Sequence, residues 1–177
     1  MIGPKTTLRE QAFLVCTALD RAGTTCVLTG GSAATIYAPQ EYQSQDLDFV
    51  ITFAGGPGSE RALLDLGFVR SGSTYTHPAN PLTLDFPEGP LAVGSEPIDS
   101  WDTIREGEFL LHLLTPTDCV RDRLAGYLFW HDRQSLSAAV SVARAHTHKV
   151  DLKKVEAWCR REGEPEKFQD FLRALSR

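Results

Sequence analysis

The sequence predicts an α+β fold: a small mixed β-sheet with helices on one side, followed by a C-terminal helical bundle. Three observations carry this. Short apolar runs broken by turn residues fill the front half, at spacings too irregular for a regular βαβ alternation. Beyond Leu114 the pattern changes to helical periodicity with capping residues. No internal repeat or linker-like stretch interrupts the chain. The expected organisation is a core over residues 1–114 and a helical region over 115–177 packed on it.

Taken in order, Thr6 or Thr7 caps a helix running to about Ala22, with Leu8, Ala12, Val15, Cys16 and Leu19 on one face and Gly23 as its stop. Cys26-Val27-Leu28 is a short strand ending at Thr29-Gly30-Gly31-Ser32, and Ala33 to Ala38 a short helix stopped by Pro39. A second strand, Leu47 to Thr52, ends at the turn Gly55-Gly56-Pro57-Gly58. Ser59 caps a helix through Leu66. Strands are expected at Phe68–Arg70, Thr74–Thr76 and Leu82–Phe86, then a loop from Pro87 to Pro97 and a strand at Phe109–Leu114. Thr117 caps a helix to about Trp130, and Asp132 or Ser135 caps the next, to about Ala145. Two short helices follow, near 152–160 and 165–175.

Composition narrows the function. The chain has 177 residues, 42% hydrophobic and 23% charged, an ordinary globular mixture that argues against disorder. No apolar run approaches the roughly 18 residues of a membrane span, and the N-terminus has no secretory h-region. The four cysteines are scattered without a C-x-x-C pair, which excludes a zinc ribbon and argues against a disulfide framework. The expectation is a reduced, cytoplasmic protein. A net charge of −5 argues against a general binder of double-stranded DNA, which needs a basic footprint. It leaves room for a nucleotide bound through a divalent metal.

The chemistry concentrates in Leu28-Thr29-Gly30-Gly31-Ser32, then 13 residues, then Asp46-Leu47-Asp48-Phe49-Val50. Residues i and i+2 of a strand share a face, so Asp46 and Asp48 stand side by side with Leu47 and Phe49 toward the core. Paired carboxylates repel, and a cation removes that cost; hard oxygen ligands suit Mg²⁺. In Leu82-Thr83-Leu84-Asp85-Phe86 the same alternation turns Asp85 away from the core. On neighbouring strands the three carboxylates can hold one or two metals that bridge an attacking oxygen and a phosphate. The glycine turn supplies the other half: backbone that approaches a phosphate closely, the free N–H groups of a helix start, and the Ser32 hydroxyl. Singly, a Gly-Gly-Ser is more often a turn and an Asp-x-Asp a solvated face. Together they describe a nucleoside triphosphate bound through its metal.

Gly30-Gly31-Ser32 with Asp46 and Asp48 resembles the signature of the DNA polymerase β-like nucleotidyltransferase superfamily, over roughly residues 25 to 86, with the spacing at its long end. The stretches Leu114 to Leu124 and His131 to Leu136 resemble small bacterial nucleotidyltransferase-like proteins, some related to toxins of toxin–antitoxin or abortive-infection systems. The resemblance implies Mg²⁺-dependent transfer of a nucleoside monophosphate from an NTP such as ATP to a hydroxyl of RNA (a tRNA end among them), protein or a small molecule. Asp46, Asp48 and Asp85 would be metal ligands and catalytic groups, and Gly30, Gly31 and Ser32 would bind phosphate. Arg121 or Arg123 would face the triphosphate, and a cognate antitoxin protein would be a partner. The superfamily also contains members that have lost catalysis, so a nucleotide- or partner-binding protein of the same fold is the alternative. A metal-dependent phosphohydrolase is disfavoured, because His131-Asp132 is the one His-Asp doublet.

Other candidates have plainer readings. Arg121 and Arg123, two apart on a helix, face different ways. His146-x-His148 marks a helix end, and His131-Asp132-Arg133 a junction between helices. Lys149, Lys153, Lys154, Arg160 and Arg161 are broken up by acids and read as a solvated face. Trp101, Trp130 and Trp158 are too dispersed for one stacking platform and are expected in the core or between helices.

Overall fold

The computed structural model describes residues 1–56 and 58–177. Pro57 of the predicted turn therefore lies outside the described residues. Among the described residues, nine strands and seven helices form a mixed α+β protein. Helix α1 (Leu8–Arg21) opens with a capping box, in which Thr7 Oγ1 accepts from the Glu10 N–H and the Glu10 carboxylate accepts from the Thr7 N–H. Thr7, not Thr6, is the cap.

The strands are β1 (Thr25–Leu28), β2 (Asp46–Phe53), β3 (Val69–Ser71), β4 (Thr74–His77), β5 (Asn80–Asp85), β6 (Ala92–Val93), β7 (Glu96–Pro97), β8 (Asp102–Glu106) and β9 (Phe109–Leu113). Seven of them make one sheet in the order β3-β4-β5-β2-β1-β9-β8. β2 runs antiparallel to β1 and parallel to β5, so the sheet is mixed at its centre. β6 and β7 form a separate hairpin inside the stretch expected to be a plain loop. β8 was not expected either: its sequence, Asp-Thr-Ile-Arg-Glu, lacks an apolar run, and pairing with β9 makes it a strand.

Helix α2 (Gly30–Tyr37) begins at the first glycine rather than at Ala33 and is buried throughout. Helix α3 spans Gly58–Asp65. Helix α4 (Pro116–Trp130) takes Thr115 as its cap and Pro116 in its first turn, where no N–H is needed; Thr117 lies inside the helix and donates to Lys149 O. His131, at φ 56°, closes α4, and Asp132 caps α5 (Arg133–Ala145), so the two helices turn back on each other with no further linker. Helices α6 (Leu152–Arg161) and α7 (Pro165–Leu175) complete the chain.

The core runs from Val15 and Leu19 of α1 through Val27, Leu28, Leu47, Phe49, Leu84, Leu111 and Leu113 of the sheet to Val120 and Leu124 of α4. It fixes the register that matters for the site: Leu47 and Leu84 are paired and fully buried, which sets the residues flanking them on the opposite face. All four cysteines are buried and free. Among the described residues no helix is long and apolar enough to cross a membrane.

Candidate functional site

Asp48 pairs directly with Asp85 across β2 and β5, and Asp46 pairs with Thr83. Alternation then puts all three carboxylates on the face away from Leu47 and Leu84. The backbone of Asp48 is held at both ends by the α2 start: its carbonyl accepts from the Thr29 N–H at 2.9 Å, and its N–H donates to Ser32 Oγ at 3.2 Å. Ser32 Oγ in turn donates to Thr29 O at 2.7 Å. The Ser32 hydroxyl proton is thus committed inside the fold. The side chain expected to bind phosphate is instead the pin between helix and carboxylate strand, and Ser32 can offer a phosphate only its backbone N–H.

Gly30 brings backbone close to the Asp48 carboxylate. Its φ is +65°, and a Cβ there would lie 2.6 Å from Asp48 Oδ2 and 3.6 Å from an Arg123 guanidinium nitrogen. Both conformation and space require glycine. Gly31 is hemmed similarly, with Ser44 Oγ and Tyr42 Oη at 2.8 and 2.9 Å from where a Cβ would be. The Thr29 side chain makes no cap hydrogen bond, so among the described residues no side-chain cap occupies the first-turn N–H groups of Gly30, Gly31 and Ser32.

Burial, then the charge of Asp46, pushes the Asp48 carboxyl up to about 6; Arg123 opposes the rise and Asp85 adds to it. Asp46 Oδ1 accepts from Ser44 Oγ at 2.5 Å, and Asp85 Oδ1 from Thr74 Oγ1 at 2.5 Å. With those rotamers, no group of three or more His, Cys, Asp or Glu side chains stands ready-made for a metal among the described residues. The backbone register gathers the three aspartates, and the side chains of the outer two are turned to hydroxyl partners. The donor set itself fits Mg²⁺: hard carboxylate oxygens, on one face, with a net repulsion that a divalent cation would relieve.

The two arginines separate. Arg123 stands beside Gly30, close enough for its charge to act on Asp48, while paired to Asp122 at 2.8 and 3.0 Å. Burial pulls its pKa down, and Asp122 more than offsets that. Arg121 does not belong to this face. Its side chain is 1% exposed, donates to Asp118 Oδ1 at 2.8 Å, contacts Glu96 and lies 5.4 Å over the Trp158 ring. Burial lowers its pKa to about 10.

Tyr42 and Asp122 were not singled out from sequence. Burial raises the Tyr42 phenol, with Arg123 opposing and Asp46, Asp132 and Asp48 adding, so its hydroxyl stands among the site's charges. Both residues arrive by tertiary packing, and no local pattern marks them. The remaining candidates have structural places. His146, at the end of α5, donates from Nε2 to Tyr37 O. Lys154 and Arg161 pair with Asp118 and Glu96. Trp158 is buried and Trp101 half-buried, whereas Trp130, expected in the core or between helices, is 75% exposed because α4 ends there and no later element covers it.

No protein-family model and no curated protein matches the sequence. Among solved structures the chain is similar to an antigenic nucleotidyltransferase-like protein from Paracoccidioides brasiliensis, with a TM-score of 0.59 and 15% identity over 97% of this chain and 94% of that one. It also matches the antibiotic-resistance factor ANT(2'')-Ia, with a TM-score of 0.48 and 14% identity over 95% of this chain and 96% of that one. The first likeness spans nearly both chains and assigns a nucleotidyltransferase-like fold.

Proposed function

We propose that the protein is a Mg²⁺-dependent nucleotidyltransferase, moving a nucleoside monophosphate from an NTP to a hydroxyl acceptor in RNA, protein or a small molecule. One observation carries the reading: Asp48 and Asp85 are register partners with Asp46 on the same face, and the Gly30 backbone lies against Asp48 with Arg123 beside that glycine. The nucleotidyltransferase-like fold supports it. The alternative is a non-catalytic nucleotide- or partner-binding member of the same fold, with Asp85 turned away from Asp46 and Asp48; the register pairing of Asp48 with Asp85 favours the enzyme.

Asp46, Asp48 and Asp85 would hold one or two Mg²⁺ ions, which when bound supply charge neutralisation on the phosphates and activation of the acceptor oxygen. The first-turn N–H groups of Gly30, Gly31 and Ser32 would hold the β- and γ-phosphates. Arg123 would neutralise the charge that grows toward the leaving pyrophosphate. Asp85 would accept the acceptor's proton. The acceptor oxygen forms its bond to the α-phosphorus in line as the bond to pyrophosphate breaks. Arg121 has no part in this.

The test is incubation with each of four α-labelled nucleoside triphosphates, Mg²⁺ and a cell lysate. Label should move to RNA, protein or a small molecule with wild type, and not with Asp48→Asn or Asp85→Asn. Label that never leaves the nucleotide, or transfer that persists in both variants, contradicts the proposal.

A further inference from the structure

A cleft of about 630 Å³ lies beside the carboxylate face, lined among others by Asp122, Arg123, Gly126, Phe129, Trp130 and Asp132. Its size is that of a small-molecule site. Arg123 belongs to both places: it lines the cleft and also stands beside Gly30, where its charge acts on Asp48. The cleft is therefore the continuation of the phosphate seat along α4.

At its far end two aromatic side chains are left to solvent. Phe129 is 41% and Trp130 75% exposed, with ring centroids 5.8 Å apart at 83°. Large exposed aromatic surface is unfavourable unless something covers it. The junction at His131 and Asp132 turns the chain back beneath these rings, so they sit on a fixed helix end rather than a loose terminus. Asp132 is itself fixed, accepting from Gln134 N at 2.9 Å and Ser135 Oγ at 2.6 Å.

Spacing links the two ends. Arg123 and Trp130 are seven residues apart, nearly two full turns, so they lie on one stripe of α4, separated by about 10 Å along its axis. A ligand with its phosphates at Arg123 and a flat ring at Trp130 must carry the two ends on a short rigid connector. A nucleotide has that form, with ribose between phosphate and base.

We propose that Trp130, backed by Phe129, is the platform on which the nucleobase of the bound nucleoside triphosphate stacks. This rests on the nucleotide seat proposed above, and it names where the base lies. A ring face accepts any base, so the platform adds affinity and leaves selection to the polar groups around it, Asp122 and Asp132 among them.

Fluorescence tests it directly, because Trp158 is buried and Trp101 half-buried, which leaves the red-edge emission to Trp130. Wild type, Trp130→Ala and Trp130→Phe would be titrated with Mg²⁺ and each of ATP, GTP, CTP and UTP, with inorganic tripolyphosphate as the baseless control. At least one nucleotide should quench the red-edge emission of wild type, while tripolyphosphate binds, as read by a thermal shift, without quenching. Trp130→Ala should weaken that nucleotide on the order of tenfold and leave tripolyphosphate unchanged, with Trp130→Phe restoring most of the loss. Nucleotide binding that neither quenches Trp130 nor depends on it overturns the platform and leaves the phosphate seat standing; the cleft would then be the acceptor's. Failure of both nucleotide and tripolyphosphate to bind overturns the seat and the platform together.

Discussion

Asp118 and Glu96 lie among three cations, Arg121, Lys154 and Arg161. Asp46, Asp48 and Asp85 share a face with Arg123, which is itself paired to Asp122. The first region is compensated within the chain and carries structure: it ties α4 to α6 and to the β6–β7 hairpin, whose Val93 carbonyl accepts from Trp158 Nε1. The second is left with excess negative charge beside an uncapped helix start. Like residues in one molecule thus separate into structural ties and a candidate site by whether the chain supplies their counter-ions.

The sharpest way to break this comparison is at Arg121. Arg121→Ala leaves Asp118 and Glu96 short of their buried partner, and should cost about 3–5 kcal/mol of stability in denaturant unfolding. The variant that folds should still gain as much from Mg²⁺ and nucleotide as wild type does. A loss of nucleotide binding at full stability would move Arg121 into the site.

Arg123→Ala should do the reverse. Its ion pair with Asp122 is partly exposed, so the stability change should stay within about 1 kcal/mol. Nucleotide affinity, measured by titration calorimetry, should fall about tenfold, with the remaining binding less sensitive to salt. Unchanged affinity would leave the carboxylate face without its protein cation.

The smallest effect is on pH. The Asp48 carboxyl is raised to about 6 in the folded protein, so folding favours its protonated form. That contribution is fully present below the ordinary carboxylate range, near pH 4, and is lost as pH rises through about 6. Metal-free wild type should therefore lose stability relative to Asp48→Asn across this window in thermal melts. Mg²⁺ binding needs the carboxylate, so affinity should rise over the same window and level off above it.

Much of this was legible in the sequence, and the misses have physical reasons. The alternation in Leu47-Asp48-Phe49 and Leu84-Asp85 gives the shared face, since a strand has only two sides. The glycine pair before a buried helix gives the close approach at Gly30. Which of Arg121 and Arg123 faces the site could not be read, because helical spacing says only that they diverge. Ser32 looked like a phosphate ligand because sequence does not show that its proton goes to Thr29. β8 and the β6–β7 hairpin are made by their partners rather than by local propensity. Tyr42, Asp122 and the exposure of Trp130 follow from how α4 and the 38–45 connection pack around the sheet.

The central claim is that the aspartate face is built for a cation the chain does not provide, and thermal melts of wild type and Asp48→Asn test it most directly. Without metal, Asp48→Asn should melt at or above wild type, by up to about 4 °C, because one of three repelling charges is gone. With saturating Mg²⁺ and a nucleoside triphosphate, wild type should rise by roughly 5–10 °C and the variant hardly at all. A variant that melts well below wild type without metal, yet gains as much from Mg²⁺ and nucleotide, would show that Asp48 serves the fold and not a metal.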